Sequence, residues 1–215
     1  MRLLIPFFFF LWATSLFASM PGAIIFSELM WMGSSASSAD EWIELYNCGN
    51  RTVELGGWAI TRLTSEGEQP MLELEEGHLE PGETFLIANY AADNPRSRLA
   101  ISPDLVATAV SLANARLQLR LYNRQGQLID LADDGRGTPL AGDARLKRSM
   151  VRIAFDQDGS LPASWTIAQE ASGWDAESSE LGTPGLIPAY LEPVSPERPG
   201  TPVHSISWAE LKNRP

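Results

Sequence analysis

The stretch Asp40-Glu41-Trp42-Ile43-Glu44-Leu45-Tyr46-Asn47, closed by the turn residues Cys48-Gly49-Asn50, constrains the fold more than any other part of the chain. Ile43 and Leu45 alternate with Trp42, Glu44 and Tyr46, which is the two-residue period of a β-strand. Large apolar groups stand on both faces, and this predicts a central strand covered on both sides.

The remaining chain supplies short strands to cover it. Ala23 to Met30 reads as a buried strand, followed by a small-residue loop, Trp31 to Ala39. Gly56-Gly57 breaks the chain before a strand at Trp58–Leu63. A short apolar run, Met71 to Leu74, precedes the turn signal Glu80-Pro81-Gly82-Glu83, and Thr84–Ala88 resumes strand character. Residues 90–103 read as a long surface loop, and Leu105–Val110 as a strand. In Arg116–Tyr122 three leucines point inward while Arg116, Gln118, Arg120 and Tyr122 point outward. A hairpin through Asn123–Gly126 leads into Gln127–Leu131, and Ser149–Phe155 and Trp165–Ala168 read as the last strands. No segment sustains a 3.6-residue apolar period between caps. About eight to ten short strands with Gly/Pro turns predict an all-β sandwich over residues 22–187.

Met1–Ala18 reads as a signal peptide: Arg2 precedes an apolar run from Leu3 to Phe17, short of the ~20 residues that span a bilayer. Cleavage is expected after Ala18, with an uncleaved anchor as the alternative and the only expected membrane contact. The expected location is therefore exported: periplasm, cell surface or extracellular. Cys48 is the one cysteine, so no intrachain disulfide can form, and a partly buried place beside its turn is expected. Core packing alone must hold an exported chain of this kind. From Pro188 to Pro215 the composition changes to a proline-rich extended tail ending in Ser205–Leu211, with apolar character enough to dock.

These residues together resemble the lamin-tail domain family, an immunoglobulin-like β-sandwich. The resemblance rests on Ile24–Leu29, on the loop Trp31–Ser37 leading to Asp40–Asn47, and on Val53–Ile60. It continues in Leu79–Glu83, in Asp158-Gly159-Ser160 before Trp165, and in Gly182-Thr183-Pro184-Gly185. Glu28, Asp40, Glu41, Trp42, Glu44, Trp58 and Trp165 fall in these motifs and are expected to be structural. The resemblance implies a structural or interaction module, of the kind that in exported bacterial chains often accompanies nucleases or other hydrolases.

The chemistry-bearing residues divide into three groups. Glu28 and Glu44 sit inside apolar strands, where a carboxylate is costly unless paired or hydrogen-bonded. They are either structural or, with Glu41, the carboxylates of a hydrolase. The second group is Trp31 and Met32, either an exposed apolar docking surface or a plug beneath the serine loop. The third is charge. Residues 64–83 carry seven Glu and no Lys or Arg, whereas residues 116–152 carry eight basic residues against four Asp. Arg116, Arg120, Arg145, Lys147 and Arg148 are the candidate face for an acidic protein partner, an anionic envelope polymer or the Glu-rich stretch of a second copy. Charges that keep a strand edge from pairing explain the same pattern.

The formal net charge of −11 disfavours a general nucleic-acid binder. Neither His78 nor His204 has zinc-type spacing, no nucleophile elbow is present, and Asp156–Ser160 lacks the closing Glu of a calcium loop. No cofactor or metal is expected. The reading is a non-enzymatic exported module that tethers or scaffolds in the envelope. A carboxylate-dependent hydrolase, or an accessory module recruiting a nuclease or hydrolase, stands as the alternative.

Overall fold

A computed structural model describes residues 23–188 and 191. The expected signal segment and nearly all of the proline-rich tail, with His204 and Ser205–Leu211, lie outside the described residues. Among the described residues twelve strands follow in chain order: β1 Ile24–Met30, β2 Trp42–Asn47, β3 Val53–Glu54, β4 Trp58–Thr64, β5 Gly67–Leu74 and β6 His78–Leu79. Then come β7 Thr84–Ala88, β8 Leu105–Val106, β9 Leu119–Tyr122, β10 Leu128–Ala132, β11 Met150–Arg152 and β12 Trp165–Ile167. One sheet has the order β12-β11-β1-β2-β7-β8, a second has β10-β9-β4-β5, and β3 pairs with β6. This is an all-β, immunoglobulin-like β-sandwich.

The stretch read as central is central. β2 lies between β1 and β7 with all six residues buried, because each face has its own cover. Its Ile43 and Leu45 join Phe26 and Leu29 in a core that also takes Ile60, Leu119 and Leu121 from the second sheet. On the other face Trp42 meets Trp174, with ring centroids 6.0 Å apart, and Tyr46 meets Phe155 at 5.3 Å.

Three expected strands are much shorter than read, and one of them, Ser149–Phe155, keeps only Met150–Arg152. Arg116 takes a left-handed backbone (φ 58°), so the alternation at Arg116–Tyr122 becomes ladder only from Leu119. Leu117 is nonetheless buried as its pattern requires. Leu105–Val110 keeps two strand residues, paired in parallel with β7. Cys48 is exposed rather than partly buried, with its thiol 3.2 Å from the Ala23 carbonyl.

One margin of the sandwich is closed by a buried ion pair. Arg152 of β11 faces Asp130 of β10 through two contacts of 3.3 Å, and both side chains are almost wholly buried. Asp130 also accepts the Phe26 N–H at 2.9 Å, so one carboxylate ties β10 to β1 and β11 of the other sheet. The guanidinium lies 5.0 Å from the Trp165 ring centroid and donates to the carbonyls of Ala154 and Gln157. Gly159 packs against this pair, where a Cβ would overlap the Leu131 carbonyl and the Arg152 guanidinium.

Candidate functional site

A bulge in β1 creates the most unusual polar feature of the molecule. Phe26 opposes Leu45 and Glu28 opposes Glu44, leaving Ser27 as the extra residue between them. In a regular strand Phe26 and Glu28 would share a face. The bulge turns Glu28 to the opposite face, beside its cross-strand neighbour Glu44.

Both carboxylates are buried, at 1% and 0% exposure, yet neither lacks donors. Glu28 accepts the Ser149 hydroxyl, the Thr183 hydroxyl at 2.7 Å and the Thr183 N–H at 3.0 Å. Glu44 accepts the Ser27 hydroxyl at 2.8 Å and the Gly185 N–H at 2.6 Å. The pair therefore clamps residues 183–185 onto the sheet, 155 and 141 positions away in sequence. Gly182 lets the segment come this close: a Cβ there would lie 2.7 Å from Glu28 Oε1 and 2.8 Å from the Ser149 hydroxyl. Burial pushes Glu28 up to about 7, against the pull of its Ser149 and Thr183 hydrogen bonds. Glu44 rises well above the ordinary range through burial and the neighbouring Glu28 charge. Ser149→Ala removes one donor from this clamp and is expected to cost about 1–3 kcal/mol at pH 8, read by urea unfolding.

Other buried carboxylates repeat the device on other loops. Glu41 accepts the Leu112 N–H at 2.9 Å, and burial raises it to about 7. Asp40 accepts the Arg98 N–H at 2.8 Å. Asp133, raised by burial to about 6, accepts the N–H groups of Leu140, Gly135 and Asp134. Glu180 accepts the Ser35 N–H and the Ser178 hydroxyl. In a domain with no disulfide to restrain its loops, internal acceptors hold them instead. Glu28 and Glu44 do come together, as a hydrolase would need, but their acceptor positions are spent on this chain's own hydroxyls and amides. Glu41 serves a different loop.

Of the two readings of Trp31 and Met32, the exposed docking surface is the one corrected. Trp31 and Met32 are 6% and 3% exposed: the Trp31 indole donates to the Ala141 carbonyl at 2.9 Å, and both side chains lie against Gly142. Trp42, Trp58 and Trp165 are buried, as their strand positions require.

The candidate basic residues are distributed over two elements. Arg116 is exposed beside β9, and half-buried Arg120 pairs with Glu68 of the second sheet. Glu68 also takes the Tyr122 and Thr61 hydroxyls, which hold its carboxyl below the usual range. The second group lies on the tight loop between Asp143 and Arg148. There Arg145 is exposed, Lys147 donates to the Met32 carbonyl at 3.0 Å, and Arg148 is half-buried. Arg120→Ala breaks only a solvent-screened pair, so a stability change below about 1 kcal/mol is expected in thermal melts.

At the margin opposite the Asp130–Arg152 pair the sheets do not close. Among the described residues a cavity of about 600 Å³ lies between β5 and β7–β8, and a second of about 640 Å³, on the Tyr46 and Thr84 face of the first sheet, adjoins it at Glu83, Thr84 and Asp104. Leu72, Phe85 and Leu105 supply apolar wall to the first, and Gly185, Leu186 and Ile187 line the second.

Among the described residues no group of His, Cys, Asp and Glu is arranged to hold a metal ion. No curated protein matches the sequence. Among solved structures, a DUF4876 family protein from Bacteroides thetaiotaomicron is similar at 12% identity and a TM-score of 0.37, over 78% of this chain and 72% of that one. The sequence model of the Lamin Tail Domain matches residues 18–135, just over half of the chain. That span holds β1 to β10, while the Thr183–Gly185 segment gripped by Glu28 and Glu44 lies beyond it. The chain belongs to the lamin tail domain family.

Proposed function

We propose that this β-sandwich is a non-enzymatic, exported module that tethers or scaffolds in the cell envelope by binding a protein partner or an anionic polymer. The observation that carries this reading is the use made of Glu28 and Glu44. The two carboxylates best suited to acid–base work are internal, and each is bonded to hydroxyls and amides of its own chain. A general acid must reach a substrate proton, which these positions do not offer.

The partner-binding surface in this reading is the pair of exposed arginines, Arg116 and Arg145, with Arg148 beside the latter. Arg120 and Lys147 are already engaged within the chain and matter less. The test is a pull-down from the native envelope fraction with wild type and an Arg116→Glu/Arg145→Glu/Arg148→Glu variant. A partner lost from the variant, and weakened in wild type by salt, is expected. An unchanged partner set in a folded variant would overturn the basic surface as the binding face.

A further inference from the structure

The two margins of the sandwich differ, and the difference points to an occupant. Asp130 and Arg152 close one side, while β5 and β7–β8 leave a groove on the other. Among the described residues β5 and β8 are edge strands of their sheets, so this groove lies between two backbone edges that no other described strand pairs. Its apolar wall of Leu72, Phe85 and Leu105 is rimmed by Glu73, Glu75, Glu76, Glu83 and Asp104, with no Lys or Arg in the lining.

The chain itself arrives at this place. Glu44 holds Gly185, and Leu186 and Ile187 line the adjoining cavity, which shares Glu83, Thr84 and Asp104 with the groove, immediately before the proline-rich segment begins. Beyond it, His204, Ile206 and Trp208 alternate with Ser205, Ser207 and Ala209, followed by Glu210, Leu211, Lys212 and Arg214, which leaves a net charge of +1 on residues 210–214. An extended segment of this kind presents one apolar row to a groove and closes with two cations suited to a carboxylate rim. The spacer from Pro188 to Val203 can span up to ~50 Å, ample to return along the groove. A tether of this length keeps the segment at a local concentration of about millimolar order.

We propose that the groove between β5 and β7–β8 is the docking site of this chain's own C-terminal segment, residues 203–214. Ile206 and Trp208 face Leu72, Phe85 and Leu105, and Lys212 and Arg214 lie against the acidic rim. The proposal is independent of the basic surface argued above, and each can fail without the other.

The test uses the full chain with one nitroxide at Asn213→Cys in a Cys48→Ser background. Backbone amide signals of Glu75, Gly77, His78 and Leu105 are compared with the nitroxide oxidised and reduced. They are expected to lose most of their peak height when it is oxidised. Trp208→Ser, and separately Glu73→Lys/Glu75→Lys, are expected to restore them. A mixture of isotope-labelled, spin-free chain with spin-labelled, isotope-free chain is expected to show no loss. Undiminished groove amides, loss confined to another surface, or loss appearing in the mixture would overturn the proposal, the last by placing the segment in a second copy.

Discussion

Replacing Arg152 by methionine is expected to cost about 3–5 kcal/mol, because it leaves the buried Asp130 carboxylate without its counter-charge. The side chain is 0% exposed and serves Asp130, two backbone carbonyls and the Trp165 ring at once. Methionine keeps much of the volume, so the loss measures the uncompensated charge rather than a cavity. A second substitution separates the two causes. Asp130→Asn removes the charge but keeps an oxygen for the Phe26 N–H, so Arg152→Met/Asp130→Asn is expected to recover much of the loss. Urea unfolding of the two variants and wild type reads this directly. A single variant within about 1 kcal/mol of wild type would mean that Asp130 is solvated or already neutral.

The second large effect is on pH. Glu28 and Glu41 are raised from 4.5 to about 7, Asp133 from 3.8 to about 6, and Glu44 well above its ordinary value. Between pH 4.5 and 7 the folded protein therefore holds protons that the unfolded chain has released. Stability from these groups is complete below the unfolded values and is lost as pH rises through the folded ones. A shift of this size corresponds to about 3 kcal/mol for one carboxylate, and the groups act in the same direction. Glu68 and Glu180 are lowered, and their contribution is lost on the acid side as they protonate. The protein is expected to be most stable near pH 5 and to melt several degrees lower at pH 8. The net charge of −11 adds self-repulsion in the same sense. Glu28→Gln is expected to flatten this dependence, since it removes one of two like charges that share a buried site.

Much of the architecture was legible because it is written locally. Thr84–Ala88 has the strand limits read from its residues, and β2 is central because Trp42, Tyr46, Ile43 and Leu45 require two covers. The β3–β6 ladder was missed because two residues a side carry no period. The alternation at Arg116 overran its strand because a left-handed turn residue leaves no periodic trace. The carboxylate pair was half legible. Glu28 and Glu44 stood out as charges among apolar neighbours, which says that donors are needed but not which ones. Their convergence depends on the bulge at Ser27, and their donors come from Thr183 and Gly185 at the far end of the domain. The Gly182-Thr183-Pro184-Gly185 motif held the missing half, since a small-residue turn is what lets backbone amides approach a buried acid. Trp31 and Met32 could be weighed only by their burial preference, and the Ala141 carbonyl that receives the indole is 110 positions away.

The central claim is that Glu28 and Glu44 form an internal clamp whose charge is suppressed by burial. Site-resolved carbon-13 titration of the side-chain carboxyls in the folded protein tests it most directly. Glu28 is expected to titrate near pH 7 and Glu44 well above the ordinary carboxylate range, and the Thr183 and Gly185 amide shifts should move in step with these two titrations. If both carboxyls titrate near 4.5 and those amides stay still, they are solvated, and the clamp does not exist.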